Sequence, residues 1–189
     1  MIISHKHKFI FLKTRKTAGS TFEKLVFPLL GEKDICSGST RDGTPALNLP
    51  PDTNGHAVPK PIDGYYFFSI ERNPWDKVVS SYYWHQHIKP KQFGNMEFEE
   101  YVMTCPLLPT DWDNYQKCNM VYKYEEMEHM YMTLRYHLGL DIDLDLMYTT
   151  RVKSQTRKVE DYREVHTPKT RNYVSKVFRR EIERFDYEF

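Results

Sequence analysis

One short arrangement limits what this chain can fold into. An apolar run, KFIFL (8–12), is followed by KTRKTAGST (13–21) and then by apolar residues at helical spacing, Phe22, Leu25, Val26 and Leu29. The continuous apolar run with basic flanks predicts a strand buried on both faces. The i, i+3, i+4, i+7 recurrence predicts a helix from Ser20, which Pro28 kinks or ends. Strand, small turn, helix is the order that presents backbone N–H groups to an anion, and the helix dipole adds to the attraction. Ala18 and Gly19 let the backbone come close, Ser20 and Thr21 offer hydroxyl donors, and Lys16 offers a mobile positive charge. The order is not that of a Walker A loop, GxxxxGK[ST], because here the lysine precedes the turn. A capped helix with solvated lysines is the plain alternative.

A second segment has the same flavour. GYYFFSI (64–70) predicts another strand, and it stops at ERNP, where Asn73 can cap a helix whose first position is Pro74. Trp75, Val78, Val79, Tyr82 and Tyr83 form the apolar stripe of that helix. Arg72 stands where a parallel strand delivers its last residue, the edge at which open α/β sheets bind ligands. Ser80, on the polar side of the helix, can join Arg72 on one phosphate, since a guanidinium fork matches phosphate oxygens. A solvated arginine and an exposed serine are the alternative.

The rest of the chain alternates in the same way. Residues 31–63, rich in Gly, Pro, Ser, Asp and Asn, predict a long connection of the kind that is usually functional. MEFEEYV (96–102) predicts a short helix and NMVYKY (119–124) a strand. Met127, Met130, Tyr131, Leu134 and Leu138 line a helix stopped by Gly139. Thr167 and Pro168 open a final helix faced by Val174, Val177, Phe178, Ile182 and Phe185. The expected fold is α/β: one domain over residues 1–189, with a three-layer parallel sheet flanked by helices.

Composition narrows the function. A net charge of +1 over 189 residues argues against a general nucleic-acid binder, whose affinity rests on many phosphate contacts. No run of about 18 apolar residues predicts a membrane span. MIISHKHKFIFLK has too short an apolar core for a signal peptide and lacks a cleavage site, so a cytoplasmic protein is expected. Cys36, Cys105 and Cys118 fit no CxxC pattern and read as free thiols. His5 and His7 flank a lysine, and His85 and His87, two apart on a helix, do not share a face. With no HExxH and no Cys/His cluster, no metal site is expected.

RKTAGST (15–21) and ERNPWDKVVSSY (71–82) together resemble two motifs of the sulfotransferases that use 3′-phosphoadenosine 5′-phosphosulfate (PAPS), in particular the heparan and chondroitin branch. In that family a PKTGGTS-like turn binds the 5′-phosphosulfate and a VRNPxxRxxSxY-like segment binds the 3′-phosphate. NGHAV (54–58) resembles the family's GH element, YKYEEM (122–127) its internal RYE element, and the ending at FDYEF (185–189) its C-terminal tail. The likeness runs in order over nearly the whole chain. It implies a P-loop-like nucleotide-binding fold. Arg15, Lys16, Thr17, Ala18, Gly19, Ser20 and Thr21 would cradle the 5′ end, and Arg72 and Ser80 would hold the 3′-phosphate in the same pocket. PAPS would be the donor and the bisphosphate PAP the product, with no metal.

The resemblance also implies a mechanism. Sulfuryl transfer passes a group in line, and the protein's work is positioning and charge stabilisation. Lys16 would stabilise the leaving oxygen. His56 would take the proton of the acceptor hydroxyl, with Glu23 and Glu71 as alternative bases. Arg151, Lys153, Arg157 and Lys158, in the basic stretch 151–169, are candidates to close over the nucleotide. YYWHQHIKPK (82–91) could line an acceptor groove, since Tyr and Trp faces stack on sugars as well as they pack in cores. The acceptor implied is a hydroxyl, in that branch of a carbohydrate. Three positions depart from the family pattern: Arg15 replaces a proline, Ala18 a glycine, and Glu71 an apolar residue beside Arg72. The chain looks like a minimal soluble catalytic domain, of microbial or viral type. Two other readings stand beside this one. One is a non-catalytic adenine-nucleotide-binding module. The other is a P-loop ATP-dependent kinase, ranked lower because Walker A order and a clear magnesium aspartate are missing.

Overall fold

The structure is a computed structural model that describes residues 1–39, 43–105, 110–150 and 156–189. The strands are β1 (Ile2–Ser4), β2 (Phe9–Leu12), β3 (Ile35–Cys36), β4 (Tyr66–Glu71) and β5 (Met120–Lys123). The helices of the first half are α1 (Gly19–Val26), α2 (Pro74–Ile88), α3 (Pro90–Phe93) and α4 (Phe98–Thr104). Those of the second half are α5 (Trp112–Tyr115), α6 (Met127–Leu138), α7 (Leu144–Thr149), α8 (Pro168–Val177) and α9 (Arg179–Phe185). The chain groups into two compact units, the first made of Met1–Glu71 and Asp113–Val152, the second of Arg72–Trp112 and Lys153–Phe189.

The first unit holds a mixed sheet flanked by helices, in the order β3-β1-β2-β4-β5. β2, β4 and β5 run parallel, with Phe9 opposite Tyr66 and Ile70 opposite Tyr122. The expected all-parallel sheet is thus corrected at one edge. β1 pairs antiparallel with β2, and β3 antiparallel with β1. The reason is local. Ile2–Ser4 is too short to announce itself by periodicity. Its hairpin with β2 turns through residues 5–8, where Lys8 takes a φ of 55°. Asp34 pins that turn by accepting from Ser4 Oγ at 2.7 Å, His5 N at 2.7 Å and Lys6 N at 3.1 Å.

The continuous apolar runs behave as their patterning predicts. All four residues of β2 are buried. Phe9 and Phe11 face one core with Phe22, Val26, Phe68, Ile70, Met130 and Leu134, whereas Ile10 and Leu12 join Phe67 on the opposite face. The sheet is therefore buried on both sides, at roughly 1.5–3 kcal/mol per fully buried large apolar side chain. α1 buries Phe22, Leu25 and Val26 and gives way at Phe27–Leu29 to a tighter turn with Pro28 in its first positions. Gly139, with φ 61°, ends α6 in the left-handed conformation expected of a C-terminal glycine.

In the second unit Asn73 caps α2, its Oδ1 accepting from Trp75 N at 3.1 Å, and Pro74 occupies the first turn. Thr167 and Thr170 form a reciprocal capping box at the start of α8. The single C-terminal helix of the sequence pattern is two helices. They break at Phe178, whose ψ of 27° turns the chain and whose ring is fully buried with the Lys77 ammonium 5.6 Å from its centre. No helix among the described residues is long and apolar enough to cross a membrane.

One core group is out of balance. Burial pushes up the pKa of the Tyr131 hydroxyl, which finds no hydrogen-bond partner among the described residues. Leaving such a group unsatisfied costs about 1–3 kcal/mol. Tyr131→Phe should therefore leave stability unchanged or raise it by about 1 kcal/mol, read from denaturant unfolding. A loss larger than that would mean that the hydroxyl has a partner.

Candidate active site

The turn that follows β2 is built from two left-handed residues. Lys16 has φ 63° and Ala18 has φ 61°, with Thr17 between them outside that region. Such alternation turns successive N–H groups toward one concavity, the arrangement that binds anions. Ala18 then stands at the N-cap of α1, where its own side chain makes no cap hydrogen bond. Ser20 and Thr21 lie in its first turn and are buried, Lys16 is half-buried and Arg15 is exposed. Thr17 does another job. Its hydroxyl is fully buried and bonds Thr14 Oγ1 at 2.9 Å, while Thr14 Oγ1 donates to the Ile70 carbonyl at 2.7 Å. Thr17 shapes the turn with its side chain and can offer an anion only its amide. Gly19 is needed for close approach, since a Cβ there would lie 2.7 Å from Lys13 Cγ.

His56 sits against the same turn. Its Nδ1 lies 2.9 Å from the Lys13 carbonyl oxygen. A carbonyl can only accept, so Nδ1 carries the proton and the neutral ring keeps its lone pair on Nε2. That tautomer suits a general base. The residue is exposed overall, yet desolvation of the ring lowers its pKa below the ordinary histidine value. The Lys13 hydrogen bond opposes the shift, and the charges of Lys13 and Arg15 add to it.

The two carboxylates proposed as alternative bases are engaged elsewhere. Glu23 has no exposed surface and accepts from the Met1 ammonium at 2.7 Å, from Lys13 Nζ and from Ser37 Oγ. Glu71 is also fully buried and accepts from the Tyr115 hydroxyl. The charge that departs from the family pattern beside Arg72 is thus met within the first unit.

In the second unit Arg72 is held by Asp76, with Nε 2.7 Å and Nη2 2.6 Å from Oδ2. Arg157 reaches the other oxygen, Nη1 to Oδ1 at 2.6 Å, and donates to the carbonyls of Val159 and Glu160. Two guanidiniums thus meet on one carboxylate. Ser80 is half-buried and lies one helical turn beyond Asp76, hence on the same face of α2. Tyr83 follows at the next turn, buried, its hydroxyl pKa raised by burial and opposed by the Arg157 charge. Of the four basic candidates near the C-terminus, Arg157 docks in this way, Lys158 is exposed, and Arg151 and Lys153 lie outside the described residues. The aromatic stretch 82–91 divides. Tyr82 is buried and bonds the Met96 carbonyl at 2.7 Å, His85 bonds the Tyr101 hydroxyl at 2.7 Å, and His87 is exposed.

Reading the sequence missed Asp76 and the shared carboxylate of Glu23. A signal existed for the first, since residues 72, 76 and 80 are spaced one helical turn apart. None existed for Glu23, whose partners come from three distant segments. Lys16 belongs to the first unit and Arg72 to the second.

Ala18 makes the turn's backbone testable. A left-handed non-glycine residue costs about 1–2 kcal/mol, while glycine loses more chain entropy on folding. Unfolding by denaturant should rank Ala18→Gly at or slightly above the parent and Ala18→Val about 1–2 kcal/mol below it. A marked loss with glycine would show that the left-handed backbone is not what limits this position.

Comparison with known proteins places the chain in a family. Residues 1–188 match the Sulfotransferase family. A stretch of 109 residues, 53% of the chain, is 31% identical to an uncharacterised protein of Archaeoglobus fulgidus, of which it covers 89%. The fold is similar to that of mouse sulfotransferase SULT7A1 complexed with PAP, with a TM-score of 0.53 at 14% identity, covering 97% of this chain and 86% of that one. A family match that spans all but the last residue leads to one statement: this chain belongs to the Sulfotransferase family.

Proposed function

We propose that the chain moves a sulfuryl group from PAPS to an acceptor hydroxyl, in line, with PAP as the second product. The observation that carries this reading is the turn itself, in which Lys16 and Ala18 take left-handed backbone directly ahead of α1. That turn, with Arg15, Thr17, Gly19, Ser20 and Thr21, takes the 5′-phosphosulfate. Arg72 and Ser80 take the 3′-phosphate, and the gathering of the Arg72 and Arg157 guanidiniums on Asp76 supports that assignment. As the acceptor oxygen bonds to sulfur, its proton goes to His56 Nε2. As the bond from sulfur to the bridging oxygen breaks, the charge left on that oxygen meets the Lys16 ammonium. The residues need no metal for this chemistry. A carbohydrate hydroxyl as acceptor rests on the likeness of the two motifs to the heparan and chondroitin branch.

Calorimetry with adenosine 3′,5′-bisphosphate and with ATP tests the donor. Tight binding of the bisphosphate without magnesium is expected, and a preference for magnesium–ATP would overturn it. Labelled PAPS with a panel of glycans, simple alcohols and tyrosine peptides tests the acceptor. Label should appear on a glycan. Its appearance only on another class would overturn the carbohydrate assignment.

The two motifs should separate in kinetics. Lys16→Ala should lower kcat by about 10²–10³ while changing bisphosphate affinity little, as expected for a group that acts on developing charge. Arg72→Ala should weaken bisphosphate binding by about tenfold or more, with a smaller effect on the chemical step. Equal losses confined to binding in both variants would remove the role given to Lys16.

The pH profile follows from His56. A general base works when neutral, so activity falls as pH drops through its pKa. Desolvation holds that pKa below the ordinary value. The acidic limb of kcat/KM should therefore lie below pH ~6.5, and His56→Asn should abolish it along with most of the rate. A limb that persists in His56→Asn belongs to another group.

A further inference from the structure

The Glu23 carboxylate is fully buried, carries no role in the transfer, and gathers partners from three segments. It lies on α1, ten residues beyond Lys13, and their ion pair ties the helix back to the start of the turn. The Met1 ammonium that pairs with Glu23 at 2.7 Å also donates to the Gly55 carbonyl at 3.0 Å. Ser37 Oγ donates to Glu23 beside it and accepts from the same ammonium. Gly55 precedes His56, and His56 Nδ1 bonds the backbone of Lys13. One acid thus grips both residues that hold the His56 loop: Lys13, whose carbonyl orients the ring, and Met1, whose ammonium orients the peptide before it.

We propose that Glu23 is a positioning residue, which through Lys13, Met1 and Ser37 holds the His56 loop against the turn and so aims Nε2 at the acceptor. The inference rests on the reading of His56 as the base. It differs from a merely structural ion pair in what it predicts at His56. The charges acting on that ring are cationic: Lys13, Arg15 and the Met1 ammonium. Losing the Glu23 charge through electrostatics alone would leave those cations less compensated and would push the His56 titration to lower pH. Releasing the loop into water would relieve desolvation, the largest cause of the present shift, and push it to higher pH. The sign separates the two.

The experiment follows the His56 ring protons by NMR through a pH titration of the full chain, in the parent and in Glu23→Gln. The His56 titration should move to higher pH in the variant. In parallel kcat should fall by about tenfold or more, as small misplacements of a reacting group do, with bisphosphate affinity changed less than about threefold. The acidic limb of the rate profile should move with the NMR titration. Should Glu23→Gln fail to fold, Ser37→Ala removes one partner at the margin of the cluster, and it should show the same upward move in smaller measure. An unmoved or lowered His56 titration in a folded variant overturns the proposal. If the titration rises but the acidic limb stays in place, His56 is not the base. The function assigned to His56 then fails, and the positioning role in catalysis fails with it, while the link between Glu23 and the loop is retained.

Discussion

Parallel pairing of β2 with β4 is the constraint on which the candidate chemistry depends. Parallel strands finish at the same edge of a sheet. The pairing of Leu12 with Ser69 therefore brings the turn that begins at Lys13 alongside the last residues of β4. Two hydrogen bonds lock that edge, Ser69 Oγ to the Leu12 carbonyl at 2.9 Å and Thr14 Oγ1 to the Ile70 carbonyl at 2.7 Å. Both carbonyls are buried, so each bond satisfies a group that would otherwise be costly. With the edge fixed, the turn has only a few residues in which to rise and enter α1. That brevity is why two of them adopt left-handed backbone.

Each unit meets its cationic load in the same way. In the first, Glu23 stands between Lys13 and the Met1 ammonium; in the second, Asp76 stands between Arg72 and Arg157. A carboxylate between two basic groups draws both to it. It holds them at fixed positions. Two cations a few ångströms apart repel by about 4 kcal/mol at an effective dielectric constant near 20, so neither pair would gather without its acid. Burying such groups is seldom a net gain in stability over well-packed apolar residues. On the proposed function their presence is positioning: the charges would stand ready before an anion arrives, and ordering them would not draw on the binding energy.

What could be read in the sequence was what is local. The strand and helix around residues 8–26, the Asn73 cap, the Gly139 stop and the Thr167 start each depend on neighbours a few residues away, and each stands where its pattern predicts. The antiparallel edge formed by β1 and β3 was not legible, because three-residue and two-residue strands carry no period and owe their place to pairing partners. In the candidate site the same division holds. Arg72 stands out by its place at the end of a strand, Ser80 by its place on the polar side of the helix that follows, and Lys16 by its place ahead of the turn. Glu23 looks like one polar residue among others on an amphipathic helix until Met1, Lys13 and Ser37 are brought to it from elsewhere in the chain. Glu71, which reads as an intrusive charge beside an arginine, is met by the Tyr115 hydroxyl, forty-four residues away in sequence.

Ala18 shows how far local preference can be overridden. Glycine is the residue of choice at a left-handed N-cap, and alanine there carries strain that nothing in its own side chain offsets. The surroundings supply the reason it holds. Gly19, next in the chain, is pressed onto the Lys13 side chain, which its partner Glu23 keeps in place. Thr17, just before it, is tied by its hydroxyl to Thr14. Between two anchored neighbours the peptide at residue 18 has little choice of direction, and alanine has fewer alternative conformations to leave than glycine would. A turn held this way keeps its amides aimed in the absence of any anion. That is the property a group-transfer site requires, because electrostatic stabilisation of a short-lived charge is effective only when the dipoles need not reorganise to meet it.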